Sequence, residues 1–488
     1  MDHVTAPQAR VIAGVAKGDI TPPVGMYHRM WGAALHDRST GIHRPLVGTV
    51  LYLQPRGEAG TGADAVVLVA LDHCILERAE CDAIRRTAAA AAQTRPEQVH
   101  VSLSHTHGAG LMTRSRADLP GGERIGPYLD QMTQIVGRLA GEARAAAKPA
   151  LLTAAYGRCN LARQRDYYDT DNRIYVCGFN PHATGDDTLL VARLTADDGA
   201  VGEPKILGTI VNYACHPTTL AWQNTLVSPD YIGALRETVE AKFAAPCFFM
   251  QGSSGDLGPL EGFVGDTAVA DRNGRQVGYA ALAALDALPP PATKFVYSGP
   301  VVSGATLGTW KHEALGEAEA TATATFRHRT VAVALPYRAD LPTIDETKAE
   351  QARWQADEDK ARAAGDELKT RDCHAQVERM RRRLLRLQSL PPGKTFPYEF
   401  AVMQTGGILW VVLPGELYQL MQRELRRRFP KSALVVATIS DDWQPGYFPE
   451  QGTYGLGIYQ EEIAIVAPGS LETLVERVAA ELETLQRA

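Results

Sequence analysis

Two apolar runs separated by an alanine-rich stretch constrain the fold of this chain more than any other feature. Ala65 to Leu71 is continuously apolar, the pattern of a strand buried on both faces. Glu77 to Gln93 is alanine-rich with an amphipathic pattern and is expected to be a helix. Gln98 to Leu103 is again β-type. Strand, helix, strand with both strands apolar implies a parallel βαβ unit. In such sheets ligands sit beyond the C-terminal ends of the strands. Asp72 and His105 both fall there, which makes them candidate site residues.

The second strand runs into Ser104-His105-Thr106-His107-Gly108-Ala109-Gly110. Two histidines two apart on a continuing strand share one face. Neutral imidazole is a common zinc ligand, so the pair can be half of a metal site. A polar loop with two solvated histidines fits the same spacing, and the pair alone does not decide.

The rest of the chain reads as more of the same alternation. Leu151 to Asn160, Leu189 to Thr195 and Lys205 to Tyr213 are expected strands, and Asp230 to Phe243 and Arg272 to Ala287 expected helices. The strand at 205–213 ends in Asn212-Tyr213-Ala214-Cys215-His216-Pro217, so His216 falls at the ligand edge of the sheet. Pro246 to Met250 runs into Gln251-Gly252-Ser253-Ser254-Gly255-Asp256-Leu257-Gly258-Pro259. Three glycines around one carboxylate present an Asp from a tight turn, for catalysis or for a local hydrogen bond only. The segment 343–390 is the most charged, and reads as a helical hairpin broken near Gly365 whose charges form a solvated face. Phe400 to Gln404 and Ile408 to Leu413 form a hairpin across Gly406-Gly407, followed at once by Pro414-Gly415-Glu416. Leu434 to Ile439 is the last strand and Leu471 to Leu485 the closing helix. Loops at 26–39 and 441–459 are rich in aromatic residues and can line a pocket or cover a satellite apolar cluster. The polar loop 163–171 can cover a pocket or lie in solvent. The expected fold class is α/β, a mixed, largely parallel sheet flanked by helices.

The 488 residues carry a formal net charge of -6 with no basic block, which argues against a nucleic-acid partner. No apolar run is long enough to span a bilayer. The seven cysteines never form a C-x-x-C pair and fit free thiols in a reducing compartment. With no signal peptide seen at the N-terminus, a cytoplasmic location is expected.

Five motifs taken together resemble one family. Ser-His-Thr-His-Gly-Ala-Gly at 104–110, Asn-Tyr-Ala-Cys-His-Pro at 212–217, Gln-Gly-Ser-Ser-Gly-Asp-Leu-Gly-Pro at 251–259, Leu-Pro-Gly-Glu at 413–416 and Gly-Tyr-Phe-Pro at 446–449 occur in the order found in the neutral, non-lysosomal ceramidases. The early Asp19-Ile20-Thr21-Pro22-Pro23 and Gly41-Ile42-His43 are similar as well. The resemblance covers nearly the whole chain and implies a single catalytic domain over 1–488, the family's N-terminal domain without its C-terminal immunoglobulin-like one. It implies one Zn²⁺ held by His105, His216, Glu416 and Tyr447, with Asp256 as general base and His107 and Tyr459 stabilising the oxyanion. It also implies hydrolysis of an amide bond in a lipid-like or other small molecule.

The residue types suit that chemistry. Imidazoles, a carboxylate and a phenolic oxygen are N/O ligands for zinc. Asp256 can take a proton from water, or instead orient a ligand histidine. Gly258 departs from the family, which carries serine there, so the expected substrate is an amide other than ceramide. The alternatives are an ester, lactone or glycosidic bond on the same metal site, or a non-catalytic binding protein.

Overall fold

The structure, a computed structural model, describes residues 2–57, 62–197 and 204–487. Its centre is an eight-stranded mixed sheet. From edge to edge the strands are Cys247–Gln251, Ile206–Tyr213, Thr188–Ala196, Lys148–Arg158, Gln8–Asp19, Val47–Pro55, Val66–Leu71 and Val99–Leu103. The expected parallel βαβ unit is present, with Val67 opposite Val99 and Leu71 opposite Leu103 across the helix Arg78–Ala92. A second parallel pair, Ile206–Tyr213 with Cys247–Gln251, lies at the other end. The pairings between them are antiparallel. Parallel pairing is thus confined to the two ends, where a crossover helix supplies the connection, and does not extend through the sheet as its apolar runs suggested.

Side chains alternate between two cores, as the twofold period of a strand requires. Val67, Val69 and Leu71 pack under the helices Arg78–Ala92 and Ile125–Ala145, while Val66, Leu68 and Ala70 face the opposite way. The helices Tyr231–Phe243 and Thr267–Asp286 cover the other half of the same outer face. The inner face packs on a four-stranded sheet, Phe326–Pro336, Thr395–Thr405, Ile408–Val412 and Ala433–Ala437. Met403, Ile408, Trp410 and Val435 fill the space between the sheets. Leu409, Val411, Leu434 and Val436 point outward to the helices Leu420–Arg428 and Ser470–Arg487. The order of layers is therefore helices, sheet, sheet, helices.

One further feature positions the site. The large sheet curls until its edge strands approach each other. Residues 438–441, continuing the last strand of the small sheet, fill the gap between them. Thr438 N donates to Gln251 O at 2.9 Å, Asp441 N to Val101 O at 2.7 Å, and Leu103 N to Ile439 O at 3.2 Å. Ile439 is held at φ 54, a left-handed value that β-branched residues rarely adopt. Asp441 clamps the join, accepting from Val101 N at 2.8 Å and His100 Nδ1 at 2.7 Å. This closure brings together strand ends that lie far apart in the sheet order.

The charged segment forms two helices, Ile344–Ala363 and Glu367–Gln388, with Gly365 at φ 69 between them. Thr343 and Glu346 cap the first reciprocally. Its face is mostly exposed, but the second helix corrects the expectation of a solvated run. Glu378 and Arg386 are buried, and Glu378 pairs at 2.6 Å with Arg116, which is 0 % exposed. No helix among the described residues is long and apolar enough to cross a membrane.

Candidate metal centre

His105 leaves the C-terminal end of Val99–Leu103, and His216 the end of Ile206–Tyr213. Glu416 comes from the small sheet, just past Ile408–Val412. A two-residue parallel pairing, Glu416 with Tyr447 and Leu417 with Phe448, sets the fourth sequence candidate beside the third. All four side chains are buried.

The imidazoles are oriented by backbone. His105 Nδ1 lies 2.7 Å from Cys74 O and His216 Nδ1 3.2 Å from Ser254 O. A carbonyl accepts, so each Nδ1 carries a proton and each Nε2 is the atom left for a cation. Burial works against a charged His105, but Cys74 and Glu416 outweigh it and hold it well above the ordinary imidazole value, so a cation bound there would displace its Nε2 proton. Those two Nε2 atoms lie 3.0 Å apart. Glu416 Oε2 lies 3.1 Å from the first and 3.6 Å from the second, and accepts no hydrogen bond. Burial, then Arg165 and His105, hold His216 well below the ordinary imidazole value. Burial works against the Glu416 carboxylate, but His105, Tyr447 and Arg165 outweigh it and keep it ionised. Three potential ligand atoms thus converge where every contributing side chain is buried. Ligand atoms about 2.05 Å from a tetrahedral zinc stand roughly 3.3 Å from one another. The observed separations bracket that figure, so the residues fit a divalent cation. His105 is also held at φ 65, an outlier worth about 1–3 kcal/mol for a non-glycine residue. Cys74, His105 and His107 form a second group within ligand distance. There, however, Cys74 O already occupies His105 Nδ1.

Around the three atoms stand the remaining candidates. The Tyr447 hydroxyl bonds the Glu416 carboxylate and accepts from Arg165 Nη2 at 3.1 Å. Burial, then Glu416, push Tyr447 well above the usual phenol value, so without a cation it is a neutral donor. Tyr459 is stacked edge-on against it, centroids 5.9 Å apart, and is 45 % exposed. His107 lies 5.0 Å from His105 and 5.4 Å from His216, ring to ring, and both of its nitrogens are buried without partners. Burial, then His105, hold it well below the imidazole value, so it is neutral with one N–H to donate. Trp31 packs on His107 at 4.9 Å, which takes the loop at 26–39 to the site. The aromatics at 443 and 454 do otherwise. Trp443 packs on the core, and Tyr454 donates to Val466 O.

Asp256 is buried beside this group, but both its oxygens are engaged. Oδ1 accepts from Gln419 N at 2.7 Å and Oδ2 from Gln419 Nε2 at 2.6 Å. Burial, opposed by Gln419, pushes it up to about 7. Gly255 N donates to Leu417 O at 2.8 Å, tying the Asp256 turn to the Glu416 strand. A Cβ at Gly255 would meet Glu416 O at 2.6 Å. Gly255→Ala should therefore displace the Glu416 backbone and weaken the affinity of this group for a divalent cation about 10–100-fold, read by competition with a chelator.

Two corrections follow. Asp72 sits at the expected strand end but takes part in no site. Its oxygens pair with Arg236 Nη1 and Nη2, both at 2.9 Å, and Oδ2 also accepts from Val47 N. Conversely, Arg165 gave no signal beyond its place in a polar loop. Ala162–Gln164 pairs with Leu257–Pro259, and this buries the arginine against Gly255 O at 2.6 Å. Gly258 lies next to it, where a Cβ would meet nothing closer than Arg165 Cδ at 3.7 Å. Gly258→Ser should fold with an unchanged melting midpoint.

No family model matches the chain, and no curated protein matches its sequence. Solved structures do match. The crystal structure of neutral ceramidase from Pseudomonas aeruginosa aligns with a TM-score of 0.63 at 15 % identity, over 98 % of this chain and 75 % of that one. A ceramidase complexed with C2 aligns with a TM-score of 0.62, also at 15 % identity, over 97 % of this chain and 74 % of that one. The layered sheets and the convergent strand ends described above are those of a neutral ceramidase-like fold.

Proposed function

We propose that the chain is a single-domain zinc-dependent hydrolase that cleaves an amide bond of a small molecule or lipid-like substrate. The observation that carries this reading is the meeting of His105 Nε2, His216 Nε2 and the unpartnered Glu416 Oε2, with each Nδ1 facing a backbone carbonyl. These three, with Tyr447, would hold the cation. When bound, such a cation polarises a carbonyl and lowers the pKa of a water toward neutrality. The likeness to ceramidase structures supports amide over ester, lactone or glycoside.

The chain's own groups then have separable tasks. The His107 N–H and the Tyr459 hydroxyl donate to the oxygen on which charge develops. Removing one such donor usually costs ~2.7–4 kcal/mol of transition-state stabilisation. Tyr459→Phe should accordingly lower kcat about 100–1000-fold with KM little changed. Asp256 accepts the proton, and a value near 7 suits a base working at neutral pH. Asp256→Asn should abolish turnover with zinc retained. Lost zinc with partial activity would mean that Asp256 serves instead to hold Gln419 and the Glu416 strand. Metal analysis, followed by a panel of amides, esters, lactones and glycosides, tests the proposal. One zinc per chain with amide turnover is expected. Turnover of another bond alone would replace the amide assignment.

A further inference from the structure

Three contacts tie the helix Glu367–Gln388 and its C-terminal end to segments that carry residues of the metal centre. Arg382 Nη2 donates to Met30 O at 2.6 Å, beside the Trp31 ring that covers His107. Arg379 pairs with Glu462, in the short helix that begins at Tyr459. Gln444 Nε2 donates to Ser389 Oγ at 2.6 Å, just beyond the helix end and three residues before Tyr447. Arg379, Arg382 and Arg386 are spaced three and four apart, so they share the face that looks at Tyr459.

That face is short of anions. Arg379 has Glu462, and Arg383 has Glu350 at 3.1 Å. Arg382 has one backbone carbonyl, and its Nε is buried with no partner. Arg386 is 7 % exposed, and among the described residues its guanidinium makes no hydrogen bond or ion pair. Burial pushes it down to about 10. Tyr459 opposes that shift, and the three neighbouring arginines add to it. A guanidinium stays charged in a protein, and burying one unpaired is costly. Planar, bidentate capture of a carboxylate, sulfonate or phosphate is what such a fork does best.

We infer that Arg386, with Arg382 beside it, forms a subsite for an anionic group that the substrate carries close to the bond to be cleaved. This rests on the hydrolytic reading of the metal centre. It makes the substrate an acidic amide, with the negative charge held on the Tyr459 side of the site. The charge can belong to the amine half or to the acyl half.

Matched pairs of probes distinguish these. On the amine side, N-hexanoylglycine is compared with its neutral twin N-hexanoylglycinamide. On the acyl side, N-propylsuccinamate is compared with N-propylbutanamide. With zinc-loaded full-length protein, the anionic member of one pair should have a kcat/KM at least tenfold above its twin. Arg386→Gln should bring that ratio to within twofold of one, chiefly through KM. If Arg386→Gln does not fold, Arg382→Gln carries the test and should lower the ratio at least threefold. Equal kcat/KM within both pairs in the wild type, or a ratio that survives both substitutions, overturns the inference. If no amide is cleaved, the hydrolytic reading fails separately, and calorimetry on the same pairs decides the subsite. At least tenfold tighter binding of an anionic member in wild type, lost in Arg386→Gln, upholds it. A preference that persists in the variant belongs to the metal and overturns it.

Discussion

Glu416→Gln, His105→Ala and His216→Ala should each lower kcat/KM at least a thousandfold, about 4 kcal/mol in the transition state. Each should also release zinc at chelator concentrations the wild type withstands. The reasoning is geometric. His105 and Glu416 come from different sheets, and His216 from the far side of the curled one. Each supplies one atom to a group whose separations are 3.0, 3.1 and 3.6 Å. Losing one leaves the cation two of these three atoms and the Tyr447 hydroxyl. Glu416→Gln is the most informative of the three, because it keeps volume and shape and removes only the charge. Without metal, that variant should be less stable than wild type, since His105, Tyr447 and Arg165 outweigh burial in favouring the carboxylate and an amide forgoes that attraction. With zinc present the gap should widen, because the wild type gains binding energy that the variant lacks.

The second large effect lies outside the site. Arg236→Met should destabilise the fold by ~3–5 kcal/mol with the zinc content of the folded protein unchanged. Arg236 and Asp72 are 6 % and 1 % exposed and joined by two 2.9 Å hydrogen bonds. Truncating the cation strands a carboxylate in the core. The double variant Asp72→Leu/Arg236→Met should recover most of the loss, because an apolar pair of similar volume carries no desolvation penalty. Urea unfolding of the four proteins measures both terms. A small loss in the single variant, or one accompanied by lost metal, would return Asp72 to the site.

That pair also illustrates what a sequence can and cannot disclose here. The βαβ unit at 65–103 was legible because two apolar runs and an alanine-rich period leave few other folds open. His105, His107 and His216 were legible as strand-end residues for the same reason. A carboxylate at a strand end is equally a ligand or a partner for a buried arginine, and nothing local separates the two. Only the packing of Tyr231–Phe243 put Arg236 against Asp72. The pairing of Glu416 with Tyr447 spans two residues per strand, too short for any period to announce. The curl of the sheet depends on residues 438–441 adopting a strained path between its edges, which is a property of the assembled chain. Arg165 and Arg386 are the clearest omissions. One looked like loop and the other like a solvated helix face, because burial of a single arginine within a charged stretch leaves the average composition untouched.

The proposed centre is a single cation shared by side chains from both sheets. Anomalous diffraction at the zinc edge from crystals of the zinc-loaded protein measures this directly. The predicted result is one strong peak per chain, about 2.0–2.2 Å from His105 Nε2, His216 Nε2 and a Glu416 oxygen, with the Tyr447 hydroxyl in reach. No peak there at saturating zinc, or a peak on the Cys74 and His107 side with Glu416 uninvolved, would contradict it.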